Sequence, residues 1–187
     1  MKNVSVLVIS DSHGEVPALT AVLDWACREQ HNAFAAAAFL GDGAEDLPDA
    51  SAQAGFTVPW YKVRGNGDLN LSIPNSLLLE IPMEGGVTRK FFLTHGNRYN
   101  VDAGGQTLAA AAKDSGAEAA LFGHIHIPHC SVVNGIFLLN PGSIGRSRSD
   151  AGPTFAVLDC PAKGPLSARF YNLARQNRKI VVRELYI

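Results

Sequence analysis

The sequence predicts a single-domain α/β protein, and three observations lead to that class. An apolar, β-branched run at Val4–Ile9 is typical of a buried strand, and it ends in a polar turn. From Val16 to about Glu29 apolar residues recur at helical spacing, which completes a β-α unit. The second half of the chain is a series of short apolar runs, and 187 residues suit one domain spanning residues 1–187.

The other elements are predicted from the turns that end them. Residues 35–40 are predicted to form the second strand because Gly41-Asp42-Gly43 terminates it, although its alanines would also suit a helix. An alanine-rich helix is predicted over residues 106–115. Further strands, the second and third of which form a hairpin, are predicted at 58–63, 76–81, 89–93, 119–122, 132–133, 136–139, 154–158, 168–171 and 180–185.

Composition and charge exclude several classes of protein. Apolar residues make up 47% and charged residues 18% of the chain, which is a globular composition and not that of a disordered tail. Lys plus Arg is 16 against 17 for Asp plus Glu, so the net charge of −1 gives no general attraction to long nucleic acid or to an anionic membrane. The longest apolar stretch, residues 33–40, is far shorter than the roughly 20 residues of a membrane-spanning helix.

The N-terminus and the cysteines indicate the compartment. The apolar run after Lys2 is interrupted by Asp11 before a signal-peptide core is complete, which predicts a cytoplasmic protein. The three cysteines are far apart and form no CxxC pair, so a thiolate metal site is not expected. We expect Cys27, Cys130 and Cys160 to be buried thiols in a reducing compartment.

Residues able to bind a metal ion follow one predicted strand after another. They are Asp11, His13, Asp42, Asn66, His95, His124 and His126. In open α/β sheets ligands gather at the carboxyl ends of strands, so these side chains are expected to converge from five loops. Asp11-x-His13 and His124-x-His126 share a spacing that places both side chains on the same side of an extended segment.

This set of donors is larger than one ion requires. A structural zinc takes four ligands, whereas seven nitrogen and oxygen ligands suit two ions that share a bridging carboxylate, for which Asp42 is the candidate. Imidazole and carboxylate ligands without thiolate favour transition metals over Ca²⁺ or Mg²⁺. We therefore expect two divalent ions, with Mn²⁺ first and Ni²⁺, Zn²⁺, Fe²⁺ or Co²⁺ as alternatives.

Each motif taken alone also has a purely structural interpretation. Asp11-Ser12-His13 is a common helix-capping turn, and Gly41-Asp42 is an ordinary turn. Residues 65–68 alone resemble a hairpin loop, and His95 alone resembles a partly buried histidine. His124-x-His126 is the most specific single piece. In ordered combination, the structural interpretation weakens sharply.

The ordered motifs resemble the signature of the calcineurin-like metallophosphoesterases. They are Asp11-x-His13, Gly41-Asp42, Gly65-Asn66-x-Asp68, His95 and Gly123-His124-x-His126. The resemblance runs from residue 4 to about residue 143. The chain length, the Asn140-Pro141-Gly142-Ser143 turn and the His126-x-Pro128 ending are most similar to the small prokaryotic phosphodiesterase branch. The eukaryotic relative of that branch is the vacuolar sorting protein of the retromer.

The resemblance implies a fold and a site. The fold is a four-layer α-β-β-α sandwich, in which helices flank two mixed β-sheets, with a two-metal site at one edge. It implies that one ion is held by Asp11, His13, Asp42 and His126, and the other by Asp42, Asn66, His95 and His124. The implied chemistry is hydrolysis of a phosphate ester by a metal-bridging hydroxide, to which Asp42, Asn66 and His95 contribute as ligands.

One position departs from the family pattern, and a few residues are candidates for substrate contact. Gly67 stands where many members have the histidine of a Gly-Asn-His motif, which stabilises the transition state or protonates the leaving group. A diester carries less charge than a monoester, so the departure favours diesters. Arg98 and Arg146 are candidates to bind substrate phosphate, whereas Arg148 is expected to be solvated. Asp68 is expected either to contact a liganding imidazole or to cap a turn.

The predicted function is therefore a two-metal phosphodiesterase acting on a small phosphodiester or nucleotide. A non-catalytic protein-interaction scaffold with the same fold is the alternative from another class. A phosphomonoesterase or a nuclease would use the same site, although the near-neutral charge disfavours long nucleic acid as a partner. No membrane partner is expected, and the resemblance implies a homo-oligomer because relatives often form dimers or tetramers.

Overall fold

The computed structural model describes residues 4–29, 34–177 and 179–187, and Lys2 lies outside them. The strands are β1 (Val4–Ile9), β2 (Phe34–Phe39), β3 (Trp60–Lys62), β4 (Ser76–Pro82), β5 (Thr88–Thr94), β6 (Ala119–Phe122), β7 (Pro128–Val133), β8 (Ile136–Pro141), β9 (Thr154–Cys160), β10 (Ser167–Gln176) and β11 (Lys179–Leu185). The helices are α1 (Val16–Glu29), α2 (Leu47–Ala54) and α3 (Gln106–Asp114). Three 3₁₀ turns lie at Ala44–Asp46, Asn97–Tyr99 and Val101–Ala103.

The strands form two mixed sheets. The first has six strands in the order β11-β10-β9-β1-β2-β3, and the second has five in the order β4-β5-β6-β8-β7. In the first sheet β1 is parallel to β2 and antiparallel to β9. In the second sheet β5, β6 and β8 run parallel, and β4 and β7 pair antiparallel to β5 and β8. The predicted arrangement of two mixed sheets is confirmed.

Alternation of side chains along β1 shows what covers each face of the first sheet. Val6 and Val8 pack in one core cluster together with Leu93 and Leu121 of the second sheet. Leu7 and Ile9 point to the opposite face, and their cluster contains the apolar stripe of α1. Successive residues of a strand face opposite sides, so one uninterrupted apolar run serves two cores.

The second sheet repeats this arrangement. Leu121 of β6 belongs to the core between the sheets, whereas its neighbours Ala120 and Phe122 pack with Leu108 of α3. Three cores therefore separate four layers, which are α1 and α2, the first sheet, the second sheet and α3. The four-layer α-β-β-α sandwich expected from the resemblance is confirmed.

The structure differs from the sequence prediction at two elements. Helix α2 was not predicted, although Pro48 stands in its first turn and Gly55 caps its end at φ 65°. These are common start and stop signals of a helix. The strand predicted over residues 58–63 is only three residues long, at Trp60–Lys62. Pro59 precedes it and has no N–H to donate to a neighbouring strand.

The cysteine prediction is wrong at two of three positions. Cys27 and Cys130 are exposed, and Cys160 alone of the three is buried. Cys27 lies near the end of α1, where its Sγ is 3.7 Å from the carbonyl oxygen of Ala54, and Cys130 lies on the edge strand β7. Burial raises the pKa of Cys160 to about 12, so this thiol is inert. None of the helices in the described parts of the chain has the length and apolar character needed to cross a bilayer.

Candidate metal centre

The seven predicted ligands lie at the edge where the two sheets meet. Parallel strands β1, β2 and β3 of the first sheet deliver Asp11 and His13, Asp42, and Asn66 respectively. Parallel strands β5 and β6 of the second sheet deliver His95, and then His124 and His126. Because the carboxyl ends of parallel strands share one edge, each sheet contributes one half of the site.

Three of these residues form a close cluster around Asp11. Its Oδ1 is 3.0 Å from Nε2 of His126 and 3.8 Å from Nε2 of His13. The two imidazole nitrogens are 3.4 Å apart. Asp11 is fully buried, and each residue of this cluster offers a ligand atom within 4.8 Å of the others. One carboxylate and two imidazoles at this separation are a suitable donor set for one transition-metal ion.

A second close cluster consists of Asp11, Asp42 and His95, and all three residues are buried. Asp42 Oδ2 lies 3.6 Å from Nε2 of His95 and 3.9 Å from Nε2 of His13. Asp11 thus belongs to both clusters, and Asp42 lies between a histidine of each cluster. Asp42, which faces a histidine of each cluster, is therefore the candidate for a ligand shared by two ions.

Hydrogen bonds to backbone carbonyls fix the orientation of two of the imidazoles. Nδ1 of His95 lies 2.7 Å from the oxygen of Leu40, and Nδ1 of His126 lies 2.7 Å from the oxygen of Arg146. A carbonyl oxygen only accepts, so each Nδ1 donates its hydrogen, and Nε2 of the neutral ring carries a lone pair that can bind a metal ion. When the His126 ring is protonated, its Nε2 donates to Oδ1 of Asp11 instead. Carbonyl partners of this kind are typical of metal-ligating histidines.

His95 provides the test of whether the site fits a metal ion. Its Nε2 is buried and has no hydrogen-bond partner among the described residues. An unpartnered buried nitrogen is unusual in a native structure, because its lone pair has lost water without gaining a donor. A divalent ion between His95 and Asp42 would satisfy this lone pair. The donor set therefore fits the metal ions that the sequence predicts.

A surface cleft of about 290 Å³ gives access to these clusters. It is lined by His13, Asp42, Asn66, His124, His126, Arg146 and Arg148. Asn66 and His124 thus share the cleft with the close clusters, although the Nε2 of His124 lies 3.4 Å from Oδ2 of Asp102. Arg148, which was expected to be solvated, is exposed and lines the cleft together with Arg146. Arg98 is exposed on a 3₁₀ turn and is not among the lining residues.

The backbone at the site is unusual. Among the described non-glycine residues with positive φ are five predicted ligands: Asp11 (56°), His13 (48°), Asp42 (57°), His124 (74°) and His126 (60°). The expectation that the Asp-x-His and His-x-His pairs lie on extended segments is therefore wrong. Left-handed backbone is sparsely populated by residues with a Cβ, and it clusters at functional sites where the surrounding structure enforces it.

Burial and neighbouring carboxylates shift the pKa values of the two histidines near Asp11 in opposite directions. Burial lowers the pKa of His13 below its ordinary value, and it outweighs the opposite effect of Asp11 and Asp42. The hydrogen bond with Asp11 raises the pKa of His126, although burial opposes it. Two neighbouring histidines therefore bind protons with different affinity.

A family model described as the calcineurin-like phosphoesterase superfamily domain matches residues 4–163. The chain belongs to this superfamily. Phosphoesterases of this superfamily are metal-dependent, and the two clusters around Asp11 are the corresponding groups of candidate ligands in this chain.

Relatives of this chain support its assignment to the superfamily. "Probable metallophosphoesterase YsnB" of Bacillus subtilis strain 168 is 28% identical over 170 residues, which cover 91% of this chain and 92% of that protein. A conserved Streptococcus pneumoniae TIGR4 protein, described as a predicted phosphoesterase, has a similar structure with a TM-score of 0.71 at 22% identity, covering 99% of this chain and 98% of its own. Vacuolar Protein Sorting 29 from Cryptosporidium parvum has a TM-score of 0.70 at 19% identity, with the same coverage. At these identities, the two structural similarities show that the fold is shared.

Asp68 holds two of the phosphoesterase loops together. Its Oδ2 accepts the N–H of Asp42 at 2.9 Å and that of Gly65 at 2.8 Å. Its Oδ1 accepts the N–H of Gly43 at 2.7 Å and that of Ala44 at 3.0 Å. Burial alone would raise the pKa of Asp68, but these four donors hold it below its ordinary value. These four hydrogen bonds are those of a loop cap, which is one of the two roles expected of Asp68.

Other polar residues that support the phosphoesterase loops were missed from the sequence. Asp46 Oδ2 accepts hydrogen bonds from Ser12 Oγ at 2.6 Å and from the N–H of Gly14 at 2.9 Å. Ser143 Oγ donates to the carbonyl oxygen of Asp11 at 2.8 Å. Ser143 belongs to the Asn140-Pro141-Gly142-Ser143 turn, which carries part of the family resemblance, whereas Asp46 lies in the unpredicted 3₁₀ turn before α2.

Proposed function

We propose that this protein is a metal-dependent phosphodiesterase that uses two divalent ions. The observation that carries the proposal is the buried, unpartnered Nε2 of His95, which lies 3.6 Å from Oδ2 of Asp42. A second donor cluster adjoins this pair through Asp11. Membership of the phosphoesterase superfamily indicates the class of reaction. The geometry of the two clusters supports catalysis by two neighbouring ions.

The proposed ligands divide into two sets that share one carboxylate. Asp11, His13, Asp42 and His126 hold one ion, and Asp42, Asn66, His95 and His124 hold the other. When bound, two divalent ions lower the pKa of a coordinated water and neutralise charge on the phosphoryl oxygens. Mn²⁺ is the proposed ion, with Ni²⁺, Zn²⁺, Fe²⁺ or Co²⁺ as alternatives, because all donors in both sets are nitrogen or oxygen.

The chain's own residues bind and orient the substrate. Arg146 and Arg148 lie exposed at the cleft, where a guanidinium can donate two hydrogen bonds to one phosphate group. A hydrogen bond fixes one carboxylate oxygen of Asp42, since its Oδ1 accepts the N–H of Gly67 at 2.6 Å. This leaves Oδ2 free to face His13 and His95.

A preference for diesters follows from what is absent at residue 67. Gly67 has no side chain to protonate a leaving group, and a Cβ at that position would lie 3.1 Å from Oδ1 of Asp42. The site is therefore suited to an ester with a good leaving group and a single negative charge on phosphate. We propose a small phosphodiester or nucleotide as substrate, because the net charge of −1 gives no general attraction to long nucleic acid.

Location and assembly complete the proposal. The exposed thiols of Cys27 and Cys130 suit a reducing compartment, which supports a cytoplasmic location. Neither a membrane nor long nucleic acid is a proposed partner, given the net charge of −1. Assembly into a homo-oligomer is proposed from the family resemblance.

The deciding experiment is hydrolysis of a chromogenic phosphodiester with added Mn²⁺, compared with the matching monoester. We expect turnover of the diester in preference to the monoester. Asp42→Asn should reduce turnover by orders of magnitude, because it weakens the shared ligand while keeping the size of the side chain. Asp114→Asn, at the exposed end of α3, makes the same chemical change outside the cleft and serves as the control.

A second candidate function is a protein-interaction scaffold without turnover. The likeness to Vacuolar Protein Sorting 29, with a TM-score of 0.70, favours it. The unpartnered nitrogen of His95 argues against it, since a scaffold has no use for a buried lone pair without a partner. Metal-loaded protein that hydrolyses neither ester would establish the scaffold as the better proposal. Preferred hydrolysis of the monoester, or salt-sensitive cleavage of RNA or DNA, would instead identify a phosphomonoesterase or a nuclease.

A further inference from the structure

Asp102 lies beside a predicted metal ligand and has no role in the proposed reaction. Its Oδ2 is 3.4 Å from Nε2 of His124. The carboxylate is 61% exposed, whereas the imidazole is 28% exposed, so the pair forms the outer rim of the metal centre. The family motifs do not include Asp102, and the sequence gives no signal that would have selected it.

The fold fixes the place of Asp102. It sits in the 3₁₀ turn Val101–Ala103, which starts from Asn100 in a left-handed conformation at φ 51°. The N–H of Ala103 donates to the oxygen of Asn100 at 3.0 Å. Val101, the preceding residue, is buried in the core beneath α3. An anchored residue next to it limits how far Asp102 can move from His124.

His124 is held differently from the other two oriented histidines. His95 and His126 place Nδ1 against a carbonyl oxygen, which leaves Nε2 for a metal ion. Nε2 of all three histidines lies near a carboxylate, but for His95 and His126 that carboxylate belongs to a proposed metal ligand, Asp42 or Asp11. Nε2 of His124 lies beside Asp102, which is outside the ligand set and, when ionised, can only accept a hydrogen bond. The ring of His124 packs edge-on against that of His95, with centroids 5.2 Å apart. Among the described residues, Asp102 is the one carboxylate within ion-pair distance of His124, and it faces Nε2, which leaves Nδ1 for the ion.

We propose that Asp102 is a positioning residue for the metal ion that Asp42, Asn66, His95 and His124 would hold. It accepts the Nε2 hydrogen of His124, fixes the tautomer and ring orientation, and leaves Nδ1 as the ligand. A carboxylate behind a ligating imidazole also increases the basicity of the ring, so it strengthens binding of the ion. This inference rests on the proposed two-ion site, since it concerns the set formed by Asp42, Asn66, His95 and His124.

Calorimetric titration of metal-free protein with Mn²⁺ tests the inference without any substrate. The wild type is expected to bind two ions per chain. Asp102→Ala should weaken binding of the ion held by the His124 set by about 10- to 100-fold, which is the usual effect of removing a carboxylate that contacts a ligand. The affinity for the ion held by the Asp11 set should not change. Asp102→Glu restores the carboxylate and should recover most of this loss. Asp114→Ala removes an exposed carboxylate from the end of α3 and should bind both ions as the wild type does.

A spectroscopic arm separates positioning from a general effect of charge. In ¹⁵N NMR of the Zn²⁺-loaded wild type, His124 should carry hydrogen on Nε2 and bind the ion through Nδ1. The inference would be overturned if Asp102→Ala bound both ions with wild-type affinity, or if His124 bound the ion through Nε2. A wild type that binds two ions without hydrolysing esters would overturn the proposed function while leaving the role of Asp102 intact.

Discussion

The carboxylate of Asp68 accepts the backbone N–H of Asp42 at 2.9 Å, so a buried anion holds the loop that carries the candidate shared ligand. The same Oδ2 also accepts the N–H of Gly65, which leads into the loop of Asn66. Two loops that deliver ligands from neighbouring strands are thus tied to one side chain. Substitutions at Asp68 are expected to affect both stability and metal binding.

Asp68→Ala removes the acceptor of four backbone donors. Because these N–H groups are left without a partner in a buried loop, we expect the free energy of unfolding to fall by about 2–4 kcal/mol. Urea denaturation of the metal-free protein measures this loss. Asp68→Asn keeps one acceptor oxygen and should lose less. If Asp68→Ala unfolds with the free energy of the wild type, the loops hold their shape without this carboxylate and the prediction is wrong.

Gly65 is predicted to tolerate no side chain. A Cβ on Gly65 would overlap Oδ1 of Asp42 and would lie 2.5 Å from its backbone N. Gly65→Ala must therefore displace the shared ligand, and we expect loss of the second Mn²⁺ ion together with about 1–3 kcal/mol of stability. At Gly67 a Cβ meets the same oxygen at 3.1 Å, so Gly67→Ala should have the smaller effect on both measurements. The reverse order would contradict this packing argument.

Arg146 and Arg148 are expected to act on substrate binding and not on folding. Both are exposed at the cleft, and loss of a charge-assisted hydrogen bond to phosphate should raise KM for a diester by about tenfold for each. Steady-state kinetics at fixed Mn²⁺ measures the change, and thermal unfolding should stay as in the wild type. Arg183→Ala removes an exposed arginine from β11 and is the matched control. An unchanged KM in the double variant would remove both residues from the substrate site.

A half-buried ion pair between neighbouring strands β9 and β10 makes stability depend on acid. Asp159 accepts hydrogen bonds from Arg169 Nε at 2.8 Å and Nη2 at 2.9 Å. Burial alone would raise the pKa of Asp159, but Arg169 and Ser5 hold it below the ordinary value of about 3.9. A depressed folded-state pKa adds stability above the unfolded-state pKa, and this stability is lost as the pH falls through the folded-state pKa.

Asp159→Asn is therefore expected to flatten the fall in unfolding free energy below about pH 4. Urea denaturation at a series of pH values measures the slope. Arg169→Met should also weaken the acid dependence, because burial then acts on Asp159 without the opposing guanidinium. Identical acid slopes in the wild type and both variants would contradict the role of this pair.

The fold was largely predictable because its strands carry strong local patterns. The continuous apolar run of β1 and the glycines after β2 and β3 were sufficient to place the first ligands. The division into two sheets came from the family resemblance, since the pairing of β1 with the distant β9 depends on contacts that no local pattern encodes. Helix α2 was missed because its eight residues are too few for clear periodicity.

The types of the site residues were predictable, but their geometry was not. The order of Asp, His and Asn residues after successive strands indicated the ligands. The left-handed backbone at Asp11 and His124 contradicts the extended conformation inferred from spacing, because tertiary contacts outweigh the local preference there. The contact between Asp102 and His124 joins two loops that are adjacent only in three dimensions.

Five ligands in left-handed conformations imply backbone strain at the site, because even aspartate and histidine adopt positive φ less readily than glycine does. Glycine, or asparagine in place of a histidine, adopts positive φ at a lower cost. Replacing His13 or His124 by such a residue would relax the chain and abolish a ligand in the same step. Glycine or asparagine variants at these two positions should therefore lose a ligand and yet resist heat better than the wild type in the absence of metal.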